Sequence, residues 1–230
     1  LERKDWIGVL GLGFCGYYLS SFLDFAGLQY VTASLERLIL YLNPTFVLVL
    51  SWIFYRKRVA LIQVAAMAVS YAGVFVVFRH EITLEGGRAP LGALLVLASA
   101  ISYAVYLVYS GELVRRIGAS RLVGLATMVA CLCCILQFLV LRPLSAALVA
   151  PQVIWLSILN ATLCTVVPVL MVMMAVERIG AALAAQAGMI GPMSTILMGV
   201  LILGEPFNAW IVLGTALVLG GVFLVSKYKA

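Results

Sequence analysis

Charge is the scarcest commodity in this sequence. Of 230 residues, 15 are Lys or Arg and 9 are Asp or Glu, so 10% carry charge, against about 25% in soluble domains. A water-facing surface cannot be assembled from so few ionic groups, and no polar stretch is long enough to form a soluble domain. There is a single histidine, His80, in a polar loop with no carboxylate and serine arranged around it. No nucleophile elbow, phosphate loop or metal-spaced cluster appears, so enzymatic chemistry, a metal centre and a cofactor are not expected. The five cysteines (Cys15, Cys131, Cys133, Cys134, Cys164) all fall in apolar runs. The cluster "CLCC" lacks the spacing of a zinc site and reads as small apolar filler, with no disulfide framework. The segment "LERKDWIG" has neither an initiator Met nor a signal-peptide layout, and reads as an internal starting point with part of the protein upstream.

What is present is hydrocarbon. Hydrophobic residues make up 65% of the chain and the mean hydropathy is +1.16. About 20 apolar residues cross a bilayer as a helix. Cut at charges, Gly/Pro punctuation and caps, the chain offers eight candidate spans, at roughly 7–28, 32–54, 59–79, 90–110, 121–141, 152–175, 180–202 and 207–226. The expected fold is all-α, a polytopic helical bundle in a lipid bilayer. Trp6, Trp52, Trp155 and Trp210 fall near span ends, where interfacial tryptophans sit. One set of span ends holds 11 Lys and Arg residues and the opposite set only Arg79, Arg88 and Arg142. The positive-inside rule makes the first set, and the C-terminus with it, cytoplasmic. The net charge of +6 belongs to these loops, and no nucleic-acid face is expected.

A shift of 148 residues without gaps brings Pro44 onto Pro192, Ala33 onto Ala181 and "GVFVV" (73–77) onto "GVFLV" (221–225). Span 32–54 enters the bilayer from outside, whereas its counterpart 180–202 enters from the cytoplasm. The copies are therefore expected to be inverted, an arrangement found in alternating-access carriers. Residues 1–79 would be three helices of the first copy and 90–230 the five helices of the second. A complete five-plus-five protein would have two more helices ahead of Leu1, and without them the pathway is expected to be incomplete.

The ordered set of these features resembles the EamA-like permeases of the drug/metabolite transporter superfamily. The residues concerned are "GLQYVTASLERLILYLNPTFV" and "AVERIGAALAAQAGMIGPMSTILMGVLILGEPFNAWIVLGTALVLGGVFLV", with the mid-span Pro192, the turn "GEP" at 204–206 and a closing "GGV". One departure is the first-copy turn, where Arg56-Lys57 stands in place of Gly-Glu. The resemblance implies a secondary transporter of small metabolites in the inner membrane. It would export or exchange amino-acid-like or drug-like compounds, with protons as one choice of coupling ion and a homodimer allowed. The other classes considered are a membrane-embedded lipid-modifying enzyme and a non-transporting scaffold.

Ionisable residues inside a span mark function by default. Glu36 and Arg37 stand together in "ASLERLIL". Successive helical residues point about 100° apart, so one is expected to face a cavity and the other a neighbouring helix. Asp24, at similar depth, could pair with Arg37. An ionic lock, a substrate or proton contact, and snorkelling toward the interface all stay open for these three. Asn43 lies on the Glu36 face. Gln186, amid the small residues of "GAALAAQAG", and Tyr103, which resemblance places on a pathway-facing helix, complete the expected cavity residues Glu36, Asn43, Tyr103 and Gln186. Pro44 and Pro192 each remove a backbone hydrogen bond in mid-span and are expected to be symmetric helix kinks.

Overall fold

A computed structural model describes residues 2–55, 61–85, 88–181, 184–185, 198, 201–202 and 209–227, and among them every regular element is helical. Helix α1 (Arg3–Leu12) passes through a π-helical stretch, Gly13–Leu19, into α2 (Ser20–Gly27). Next come α3 (Ala33–Leu40), α4 (Asn43–Tyr55), α5 (Leu61–Glu85), α6 (Ala89–Ile117) and α7 (Ala119–Leu141). Helix α8 (Pro151–Leu159) runs through a second π-helical stretch, Asn160–Val166, into α9 (Val167–Ile179), and α10 (Ala209–Lys227) ends the described chain. Among the described residues, five helices are long and apolar enough to cross a membrane: Arg3–Gly27, Leu35–Phe54, Ala89–Ile117, Ala119–Leu141 and Pro151–Ile179. Shorter apolar segments, Val64–Arg79 and Val212–Gly221, lie within α5 and α10. The seventh expected span, 180–202, lies mostly outside the described residues, and Gln186 and Pro192 lie there with it.

Two expected loops are largely helix. Helix α5 continues past Arg79 to Glu85, and α6 continues through "GELVRRI" to Ile117. Arg115 and Arg116 occupy the last turn of α6, where cations meet the negative end of the helix dipole. The chain then reverses at one residue, Gly118, whose φ of 83° suits glycine.

Helix α6 is the mast of the bundle. It touches α1 through α5, α7 and α9, burying Val96, Ala100, Ala104, Tyr106, Leu107 and Val114. Lipid tails are as apolar as these side chains, so close packing and not water exclusion holds the helices together. The outward faces remain greasy, as at Leu132, Leu136 and Val140 on α7.

Helices α5 and α10 cross at backbone distance. A Cβ on Gly73 would lie 2.7 Å from the Gly214 carbonyl oxygen and 2.9 Å from Val218 Cγ2. A Cβ on Gly221 would lie 2.5 Å from the Ala66 carbonyl oxygen and would collide with Ser70. Positions 66, 70 and 73 correspond, at the 148-residue shift, to 214, 218 and 221. Each helix thus meets the other through the same three positions. Ser70 Oγ also donates to the carbonyl of Val218, its own counterpart, at 3.3 Å.

Candidate functional site

Four local irregularities build a cavity in the bundle. The first is the π-helical stretch 13–19. Its wider turn leaves carbonyls outside the regular ladder, and serines on α6 satisfy two acceptors there. Ser102 Oγ donates to the Cys15 carbonyl and Ser99 Oγ to the Ser20 carbonyl, each at 2.8 Å. The second is the π-helical stretch 160–166, which carries Cys164 and Thr165. The third is the break at Tyr41–Leu42 between α3 and α4. Pro44 lacks an N–H and its ring crowds the carbonyl four residues back, so the chain tightens into a turn in which the Leu42 N–H bonds the Ile39 carbonyl. The fourth contribution is Ala184 and Ala185, whose small side chains leave room.

Together they enclose about 450 Å³, within the range of small-molecule sites. One wall is polar, with Tyr17, Ser20, Ser21 and Asp24 from the first span and Asn43 from the helix break. The facing wall is apolar, with Val169 and Val172 of α9 beside Ala184 and Ala185. Tyr103 and Leu107 of α6 also line the space. Eight of the lining residues pair at the 148-residue shift: Gly16 with Cys164, Tyr17 with Thr165, Ser21 with Val169 and Asp24 with Val172.

Of the residues expected here, Asn43, Tyr103, Asp24 and Pro44 line the cavity. Glu36 does not. Its side chain is 1% exposed, and Arg37 Nε lies 3.1 Å from its Oε2. The expectation that adjacent residues would serve separate faces therefore needs correcting: their Cβ atoms diverge, but the long arginine stem folds back onto its neighbour. Arg37 makes its close ion pair with Glu36, while Asp24 interacts electrostatically with Arg37 and hydrogen-bonds with Glu36. Thr32 caps α3 by accepting the Leu35 N–H at 3.2 Å, which fixes where Glu36 points. The three tyrosines at spacing three divide their work. Tyr103 faces the cavity, Tyr106 is buried with its hydroxyl bonded to that of Tyr17, and Tyr109 packs at a tilt against Phe54, ring centroids 5.3 Å apart.

Tyr17, Ser20, Ser21 and Tyr41 went unread in the sequence. The signal was there in part: Tyr17, Ser21 and Asp24 stand at i, i+4 and i+7, one polar stripe on an apolar helix. The cysteines also depart from the reading as core filler, since Cys131, Cys134 and Cys164 are exposed. Only Cys164 among these borders the cavity. A hydrophilic maleimide is expected to alkylate Cys164 in proteoliposomes well ahead of Cys131 and Cys134, because a thiol needs water to form its reactive thiolate. Peptide mapping by mass spectrometry measures this, and equal labelling at all three would contradict it.

An all-helical, lipid-facing bundle around a small-molecule cavity defines a multi-pass membrane protein of the transporter class. The chain belongs to the EamA-like transporter family, whose profile matches residues 1–79 and 90–227. It is 33% identical to the "Uncharacterized transporter YcbK" of Bacillus subtilis (strain 168), over 97% of this chain and 72% of that protein. It is 26% identical to an "Uncharacterized transporter" of Archaeoglobus fulgidus, over 100% of this chain and 80% of that one. A solved structure titled "Crystal structure of protein" shares the fold at a TM-score of 0.67 and 19% identity, covering 99% of this chain and 77% of its own.

Proposed function

We propose that the protein is a secondary transporter that exports or exchanges small metabolites, amino-acid-like or drug-like, by alternating access across the inner membrane. In this proposal the cavity is the substrate site, the C-terminus is cytoplasmic, and a proton gradient or counter-substrate supplies the drive. Residues 1–79 and 90–230 act as two inverted copies. Asn43 and Tyr103 contact substrate, and Gln186 approaches from the second copy. Asp24 of α2, with the Glu36–Arg37 pair of α3, forms the ionic lock or counter-charge that joins the two helices, and Pro44 and Pro192 are the symmetric breaks about which the copies rock.

The observation that carries the proposal is the paired lining of the cavity. A substrate site on the axis between inverted copies draws equivalent positions from each, and four pairs at one shift fit that requirement. The crossing of α5 and α10 through shared positions supports the same axis. Uptake by the full-length protein in proteoliposomes tests it, with amino acids and cationic drugs as solutes, with and without a pH gradient. Ser21→Trp, which fills the cavity from an exposed position, is expected to lower uptake at least about tenfold, the scale of losing one good contact. Val140→Trp on the outward face of α7, where Val140 is 80% exposed, should leave uptake unchanged. Equal transport by both variants would sink the assignment of the cavity.

A further inference from the structure

Resting on the cavity as the substrate site, we infer that it selects an amphipathic monocationic amine over an amino-acid zwitterion or a carboxylate. Three independent features of the wall lead there. The first is charge. Asp24 is the only ionisable acid or base of the Asp, Glu, Lys, Arg and His types among the described lining residues. The lining residues Ala184 and Ala185 add no charge. Nothing among the described lining residues is therefore available to neutralise a substrate carboxylate. Just beside it, Arg37 pairs closely with Glu36, while Asp24 hydrogen-bonds with Glu36 and interacts electrostatically with Arg37.

The second feature is hydrogen bonding. Asp24 Oδ1 and Asn43 Oδ1 are both buried acceptors that receive no hydrogen bond from the described residues, and both residues line the same space. A buried acceptor left without a donor costs about 1–3 kcal/mol. A primary ammonium brings three N–H donors and no acceptor, which is the complement of this pair; a carboxylate would place more acceptors against acceptors. The Tyr17, Tyr41 and Tyr103 side chains line the same cavity, and aromatic faces attract cations.

The third feature is asymmetry between paired positions. Where the first-copy wall has Ser21 and Asp24, the second-copy wall has Val169 and Val172. A ligand with a charged head and an apolar body would place its head on α2 and its body on α9. A small, wholly polar cation would leave the valine wall unused.

The test uses three matched probes: phenethylamine, phenylalanine and 3-phenylpropanoate. Binding of each to the purified full-length protein is measured by equilibrium dialysis, and uptake of each is measured in proteoliposomes. Phenethylamine is expected to bind at least about tenfold more tightly than the other two, since a charge-assisted hydrogen bond contributes about 1.5–3 kcal/mol. Asp24→Asn should cost a similar factor for phenethylamine alone, and Asp24→Glu should restore part of it. The thermal midpoint of each variant shows that the fold is retained, and Asn43→Leu provides an independent loss of affinity should Asp24→Asn fail to fold. Tighter binding of phenylalanine or 3-phenylpropanoate, no binding of phenethylamine, or unchanged amine affinity in Asp24→Asn would each overturn the inference. Phenylalanine uptake without amine binding overturns the selectivity and leaves the transport proposal standing. Saturable, Asp24-dependent amine binding without uptake of any solute does the reverse.

Discussion

Gly73→Leu is expected to destabilise the protein by about 3 kcal/mol or more, beyond any other single change on the bundle surface. The side chain would enter a space with no room for its first carbon, which already lies 2.7 Å from the Gly214 carbonyl oxygen and 2.9 Å from Leu217 Cβ. Those neighbours are backbone and a Cβ atom, and neither can rotate aside. Helix propensity points the other way, since Gly costs about 1 kcal/mol relative to other residues inside a helix, so a loss of stability isolates the packing effect. Gly220→Leu on α10 is the control. A Cβ there meets nothing within 4 Å, and stability should hold or rise slightly. Thermal unfolding in detergent, monitored by circular dichroism, compares the pair. Equal midpoints for both variants would mean that the α5–α10 crossing is not close-packed.

Arg37→Leu is expected to be the most damaging change to a polar group. Removing one partner of a buried pair costs about 3–5 kcal/mol, because the other charge keeps its desolvation penalty. The lower end applies, since the Arg37 side chain is 36% exposed and partly solvated while Glu36 is 1% exposed. The deficit should be largely repaired in Glu36→Leu/Arg37→Leu, because replacing both members of a buried pair by apolar groups is often neutral or stabilising. Denaturation of the two single variants and the double variant closes the cycle. A double variant as unstable as Arg37→Leu would assign the damage to lost arginine packing and not to the ion pair.

The spans were readable because hydrocarbon length is a property of composition: each described helix falls on an apolar run visible in the sequence. Asn43, Tyr103 and Asp24 were readable because polar groups in such runs have few places to point. Glu36 was misplaced for a different reason. Its depth follows from its position in the run, but its direction depends on α5, α6 and α10, which pack around α3, and on the bend of the arginine beside it. The π-helical stretches 13–19 and 160–166 were not readable at all. Each inserts an extra residue into a turn without altering composition, and it shifts which side of the helix the following residues occupy. Tyr17 and Ser20 went unread on that account. Helix ends were lost where solvated polar residues continue a helix past the hydrocarbon, as α6 does through "GELVRRI".

The crossing of α5 and α10 has a mechanical consequence. Where helices meet through large side chains, knobs of one sit in holes of the other, and turning the pair means lifting each knob out. At Gly73 and Gly214 the backbones meet directly, with the Val218 and Val77 methyls seated against the glycines, so the joint has few teeth. It behaves as a plain bearing, able to carry the load of close contact while offering little resistance to rotation about it.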